Sequence, residues 1–212
     1  MRPYFITGIG TSIGKTLVAA VVTQALKADY WKPVQAGIAE GTDSEWIASV
    51  VENKTTVIHP ESYKLNFPAS PHIAARKENL QIDLKKILAD YNRFDKNRLL
   101  IIEGPGGLMV PLNENEFVTD LIRELNARVI LVSRNYLGSI NHSLMTAGLC
   151  RSLGFDVAGW VFNDQFMHYE EDIVRWSGYA SLFSLPLFKT ITGDTVSQAA
   201  EGLELSYLYP SV

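Results

Sequence analysis

Short apolar runs rich in β-branched and aromatic residues alternate along this chain with longer segments whose apolar positions recur at helical spacing. "YFIT" (4–7), "YWKPV" (30–34), "RLLIIEG" (98–104), "RVILVS" (128–133), "VAGWVFND" (157–164) and "SLFSLPLF" (181–188) read as strands. "KTLVAAVVTQALKA" (15–28), "DSEWIASVVEN" (43–53), "IDLKKILADYNRF" (82–94) and "SINHSLMTAGLCRSLG" (139–154) read as helices, the last with Gly154 placed to end it. The strands are continuously apolar rather than alternating, which means burial on both faces. Their alternation with helices predicts an α/β fold in three layers, a mostly parallel sheet with helices on both faces and right-handed crossovers. Ligands in such folds bind beyond the carboxyl ends of the strands.

Composition narrows the picture. With 212 residues, 47% hydrophobic and 20% charged, one sizeable core is within reach, and no linker, repeat or low-complexity stretch divides the chain. A single domain over residues 1–212 is expected. No apolar run reaches the roughly 18 residues of a membrane span, and the first residues run into a strand without a leader pattern. The single cysteine, Cys150, rules out an internal disulfide framework and fits a reducing, cytoplasmic setting. A net charge of −4 with no basic tract weighs against nucleic acid and anionic membrane as partners.

The first candidate chemistry is "TGIGTSIGKT" (7–16), between the first strand and the first helix. Successive backbone N–H groups and a helix N-terminus there converge on an anion, Lys15 can reach the terminal phosphates, the Thr16 hydroxyl can ligate Mg²⁺, and Gly14 lets the backbone approach closely. This is a phosphate loop in all but one respect. The usual pattern G-x-x-x-x-G-K-[ST] puts a glycine at position 9, where this chain has Ile9 flanked by Gly8 and Gly10. The loop makes the fold one of the P-loop NTPase type.

Three further residues invite a role. Glu103 ends a buried strand and precedes "GPGG" (104–107), a position suited to a carboxylate that holds Mg²⁺ or its water; the alternative is an exposed strand-end glutamate. Asp43 sits at the start of a helix, where an N-cap aspartate needs no catalysis and a metal ligand is equally open. Lys32 lies in a short apolar strand and either supplies a second cation beside the phosphates or snorkels to solvent.

Taken with "WKPVQAG" (31–37), "TD" (42–43), "PASPHIAA" (68–75), "IIEGPGGLMVPL" (101–112), "NYLGSINHSLMTA" (135–147) and "GWVFND" (159–164), the loop resembles the dethiobiotin synthetases. Those enzymes usually read T-G-T-x-T-x-[VI]-G-K-T, with the same shift of the first glycine. The matches run in order over nearly the whole chain.

The resemblance implies an ATP-dependent ligase. In it 7,8-diaminopelargonate takes up CO₂ as a carbamate, ATP phosphorylates the carbamate, and the second amine closes a cyclic urea. It implies Lys15, Lys32 and Thr11 as catalytic groups and Thr16, Asp43 and Glu103 as Mg²⁺ ligands. The phosphates would be wrapped by Gly10 to Thr16 (Ser12, Ile13 and Gly14 among them) and Leu17. Glu103, Gly104, Pro105 and Gly106 would border the nucleotide, with Asn163, Asp164, Pro186, Leu187 and Phe188 around the adenine. It further implies a homodimer with shared active sites, in which Gly138, Ser139, Ile140 and Asn141 of the partner subunit hold the substrate carboxylate.

Three departures from the family pattern stand out. Ala36 replaces the usual Ser or Thr, so Gln35 or water is expected to supply the missing hydrogen bond. Ser12 stands where many members have an acid, and Pro105 replaces Ala. His72 and His142 read as structural. A partitioning or positioning P-loop ATPase is the competing class, but its signature lysine would fall at Gly10.

Overall fold

The structure, a computed structural model, describes residues 1–164, 166–204 and 208. In chain order it contains β1 (Tyr4–Gly8), α1 (Lys15–Leu26), β2 (Asp29–Trp31), β3 (Val34–Ala36), α2 (Asp43–Val50), β4 (Ile58–His59), β5 (Tyr63–Leu65), α3 (Pro71–Lys77) and α4 (Leu84–Tyr91). There follow β6 (Leu100–Glu103), α5 (Val118–Glu124), β7 (Arg128–Arg134), α6 (Ser139–Ser152), β8 (Val157–Asn163), α7 (Glu170–Ser177), β9 (Ser181–Leu185) and α8 (Gly193–Glu201).

Seven strands form one sheet in the order β4-β2-β6-β1-β7-β8-β9, and every pairing is parallel. Alternate side chains of each strand point to opposite faces, which gives two cores. Tyr4, Ile6, Tyr30, Ile101, Ile130 and Val132 pack under α1, α2 and α8. Phe5, Trp31, Ile102, Val129, Leu131 and Trp160 pack under α3 to α7. Both faces are covered, so the strands carry the continuous apolar runs seen in the sequence.

Several boundaries differ from the sequence expectation. "YWKPV" is not one strand. Pro33 has no N–H for a ladder, and the chain breaks at Lys32 and Pro33 into β2, which stays in the main sheet, and β3, which leaves it to pair with β5. "SLFSLPLF" stops at Leu185, before Pro186, for the same reason. Asp43 is not the cap of α2. Thr42 is, its side chain accepting from the Glu45 amide while the Glu45 carboxylate accepts from the Thr42 amide. Asp43 is thereby the first residue of the helix, with its carboxylate free for other work. The short β4 and β5 and the helices α3, α5, α7 and α8 have no counterpart in the elements read from periodicity.

Candidate active site

The loop between β1 and α1 explains its own shifted glycine. A Cβ at position 8 would overlap the Val132 carbonyl oxygen, so the tight approach of strand and loop falls at Gly8. The Ile9 amide then donates to that same carbonyl at 3.1 Å, and the Ile9 side chain packs against both cores. Nothing crowds position 10. Gly14, at φ +88°, is the N-cap of α1, and a Cβ there would overlap Asn163 Nδ2. Asn163, at the end of β8, donates from that nitrogen to the Ile13 carbonyl at 2.9 Å and so braces the loop from below.

Four buried polar side chains meet above the sheet. Glu103 ends β6 and is 1% exposed. Its Oε1 accepts from Thr16 Oγ1 at 2.8 Å and from Lys32 Nζ at 3.1 Å, and its Oε2 accepts from the Tyr30 hydroxyl at 2.8 Å. Lys32 Nζ also donates to Asp43 Oδ2. Lys32 follows the carboxyl end of β2, where the chain breaks at Pro33, and its ammonium meets both carboxylates there. Burial works against its charge, but Glu103 and Asp43 outweigh that and hold its pKa above the ordinary lysine value. Lys15 has fewer counter-charges. Its Nζ donates to the Gly10 carbonyl at 2.6 Å, and burial, only partly offset by Glu103, lowers its pKa to about 8. Burial and the Glu103 charge push the Tyr30 phenol well above its usual value, so it stays a donor.

Lys15, Thr16, Lys32, Asp43 and Glu103 line a cleft of about 930 Å³. Of the residues implied by the resemblance it gathers Thr11, Ser12, Gly14, Lys15, Thr16, Lys32, Asp43, Glu103, Pro105 and Gly106. Ile13 and Leu17 are buried beneath the loop in the apolar core, so only their backbone can serve a phosphate. Gly104 lies against the Phe5 ring, which a Cβ would strike at 2.5 Å. Asp164 faces Arg134, with Oδ2 3.3 Å from its Nη2. Pro186 and Leu187 are exposed beyond β9, Leu187 at 72%, and Phe188 is half-buried. Gly138, Ser139, Ile140 and Asn141 open α6 away from the cleft; Ser139 is buried with its hydroxyl on Tyr169, and Asn141 is exposed. One chain does not bring these four to the phosphate loop.

The cleft also contains groups that the sequence reading left out or undervalued. Glu40 and the Pro68–Pro71 segment line its outer wall. Gln35 accepts from the Asp43 amide at 3.3 Å and donates to the Gly37 carbonyl at 3.2 Å, so it fixes the start of α2. No periodicity signals such a contact from β3 to the start of α2. His72 and His142 are held by Ser70 and by the Tyr136 hydroxyl. Burial pushes the Cys150 thiol up to about 12, which removes it as a nucleophile.

The donor set suits Mg²⁺. Among the described residues no three His, Cys, Asp or Glu side chains cluster as a self-sufficient metal site. Two carboxylates and a hydroxyl, all hard oxygen donors, instead match an ion that takes the rest of its shell from phosphate and water.

A family model described as an AAA domain matches residues 2–193. An ATP-dependent dethiobiotin synthetase of Cytophaga hutchinsonii is 48% identical over 94% of this chain and 96% of its own. One from Novosphingobium aromaticivorans is 37% identical over 97% and 98%. Among solved structures, the septum site-determining protein MinD of Pyrococcus horikoshii, complexed with Mg-ADP, superposes with a TM-score of 0.63 at 14% identity, covering 98% of this chain and 96% of that one. A ParA family ATPase of Chlorobium tepidum gives 0.60 at 12% identity, covering 95% and 99%. Those two establish the P-loop NTPase-type fold alone. The sequence matches reach further: the chain belongs to the AAA domain family and to the ATP-dependent dethiobiotin synthetases.

Proposed function

We propose that the chain is a single-domain, homodimeric, cytoplasmic ligase that converts 7,8-diaminopelargonate, CO₂ and ATP to dethiobiotin, ADP and phosphate. One amine of the substrate adds to CO₂ and loses a proton, giving a carbamate. A carbamate oxygen attacks the γ-phosphorus, and the bond to ADP breaks. The second amine then attacks the carbonyl carbon of the carbamic–phosphoric anhydride, phosphate leaves, and a five-membered urea remains.

The observation that carries this reading is the meeting of two buried lysines, two carboxylates and the Thr16 hydroxyl in one cleft. Carbamate and γ-phosphate are both anions. At roughly 4 Å, in an effective dielectric near 20, two unit charges repel by about 4 kcal/mol. Lys15 and Lys32 offset that repulsion and stabilise charge on the transferring phosphoryl group. Thr11 and Ser12 lie beside them at the mouth of the loop. Thr16, Asp43 and Glu103 would hold Mg²⁺, which supplies further positive charge at the phosphates. No protein nucleophile is required, in keeping with the inert Cys150.

Asn163 and the 186–188 segment take the adenine, with Asp164 at the edge of that pocket. The four residues that open α6 serve the partner's cleft, where free N–H groups at a helix N-terminus receive the substrate carboxylate. A partitioning ATPase would share this fold, but it calls for a lysine where this chain has Gly10. The test follows ADP from protein with Mg-ATP. Release that depends on both the diamine and bicarbonate supports the ligase; release indifferent to both contradicts it.

A further inference from the structure

Glu103 divides its two oxygens between different parts of the molecule. Oε1 faces the cleft, where Thr16 and Lys32 donate to it. Oε2 points back under the loop, and the donor it receives there is the Tyr30 hydroxyl at 2.8 Å. Tyr30 is fully buried in β2. It stands beside Ile101 of β6, two residues before Glu103 and therefore on the same face of the sheet, so its ring runs along the sheet toward the carboxylate. The ring sits in the apolar core with Tyr4, Ile6 and Ile101. For packing alone a phenylalanine would fill this place; the hydroxyl adds only the bond to Glu103.

We propose that Tyr30 is a positioning residue that pins Oε2 of Glu103, so that the carboxylate presents the single oxygen Oε1 to the divalent ion of the nucleotide complex. This rests on the reading of Glu103 as a metal-holding residue. A pinned carboxylate loses no rotational freedom when the ion binds, and it cannot swing to a two-oxygen grip. Partners that orient metal-holding side chains in this way typically contribute about 10- to 100-fold to metal affinity.

The experiment titrates Mn²⁺ into the ADP-loaded protein by electron paramagnetic resonance, for wild type, Tyr30→Phe and Glu103→Gln, with ADP affinity in EDTA measured alongside. The inference expects Tyr30→Phe to bind Mn²⁺ about tenfold more weakly with ADP affinity in EDTA unchanged, and Glu103→Gln to be weaker still. Wild-type Mn²⁺ affinity in Tyr30→Phe beside a weakened Glu103→Gln overturns the role of Tyr30 and leaves the metal reading intact, even if Tyr30→Phe has a lower Tm. Wild-type affinity in both variants overturns the metal reading itself. An equal loss of ADP binding in EDTA marks a general distortion of the cleft and also overturns the proposal. Should Tyr30→Phe fail to fold, Tyr30→Met, which also lacks the hydroxyl and adapts to gaps, is read by the same criteria.

Discussion

Lys32 and Glu103 lie 71 residues apart in sequence, yet the Lys32 ammonium donates to Glu103 Oε1 at 3.1 Å, with both side chains buried. Asp43 holds the same ammonium from the other side. A buried cation between two carboxylates is costly to place, and removing it leaves those charges uncompensated.

Lys32→Gln is therefore expected to lose turnover by about 10²- to 10³-fold, the usual cost of removing one group that stabilises transition-state charge. Nucleotide binding persists, because the phosphate loop is untouched. The buried Glu103 carboxylate and the half-buried Asp43, left without their cation, also lower Tm. Steady-state ADP release, calorimetric ADP binding and a thermal melt check all three; normal turnover contradicts the assignment.

Gly14 is constrained twice, by φ +88° and by the Asn163 amide, which occupies the space a Cβ would need. Gly14→Ala is expected to weaken nucleotide binding at least tenfold. Adding Asn163→Ala relieves the clash but not the left-handed backbone, which costs roughly 1–2 kcal/mol for a residue with a Cβ. Set against Asn163→Ala alone, which already lacks the proposed adenine contact, the double variant should still bind ADP more weakly, and equal affinity of the two in an ADP titration contradicts the backbone argument.

Lys15 has a pKa of about 8 in the free protein against 10.5 for an ordinary lysine. Phosphate binding favours the charged form, so near pH 9 nucleotide binding takes up close to one proton per site. Calorimetry in buffers of different ionisation enthalpy measures that uptake, and Lys15→Met abolishes it; no uptake in wild type contradicts the account. Between about pH 8 and 10.5 the unfolded chain holds this proton and the folded one does not. Lys15 therefore makes stability rise with pH across that window.

Leu137 is 100% exposed and Met145 66% exposed on either side of the start of α6. If α6 serves a partner's cleft, Leu137→Asp dissociates the dimer and raises KM for the diamine, while ADP affinity per chain is kept. Sedimentation velocity with a KM determination tests this. An unchanged dimer with wild-type KM contradicts the shared site.

The sheet was legible because its strands are buried on both faces and read as unbroken apolar runs, as in "RLLII" and "RVILVS". The phosphate loop was legible because close backbone approach leaves a glycine signature at Gly14. Helices α7 and α8 were not, since each is only eight or nine residues long and carries few large apolar side chains. The capping role of Thr42 was missed because Asp43 beside it is an equally good cap by composition. Tyr30 could not be found from sequence at all. An apolar ring in a buried strand gives no sign that its hydroxyl reaches a carboxylate 73 residues away.

The central claim, that a carbamate and a γ-phosphate are brought together by these charges, is tested most directly with bicarbonate labelled with oxygen-18. During a turnover shorter than its exchange with water, the account predicts that inorganic phosphate leaves carrying one labelled oxygen. It predicts also that Lys32→Gln releases almost none. Unlabelled phosphate released by the wild-type enzyme while the diamine is consumed would contradict it.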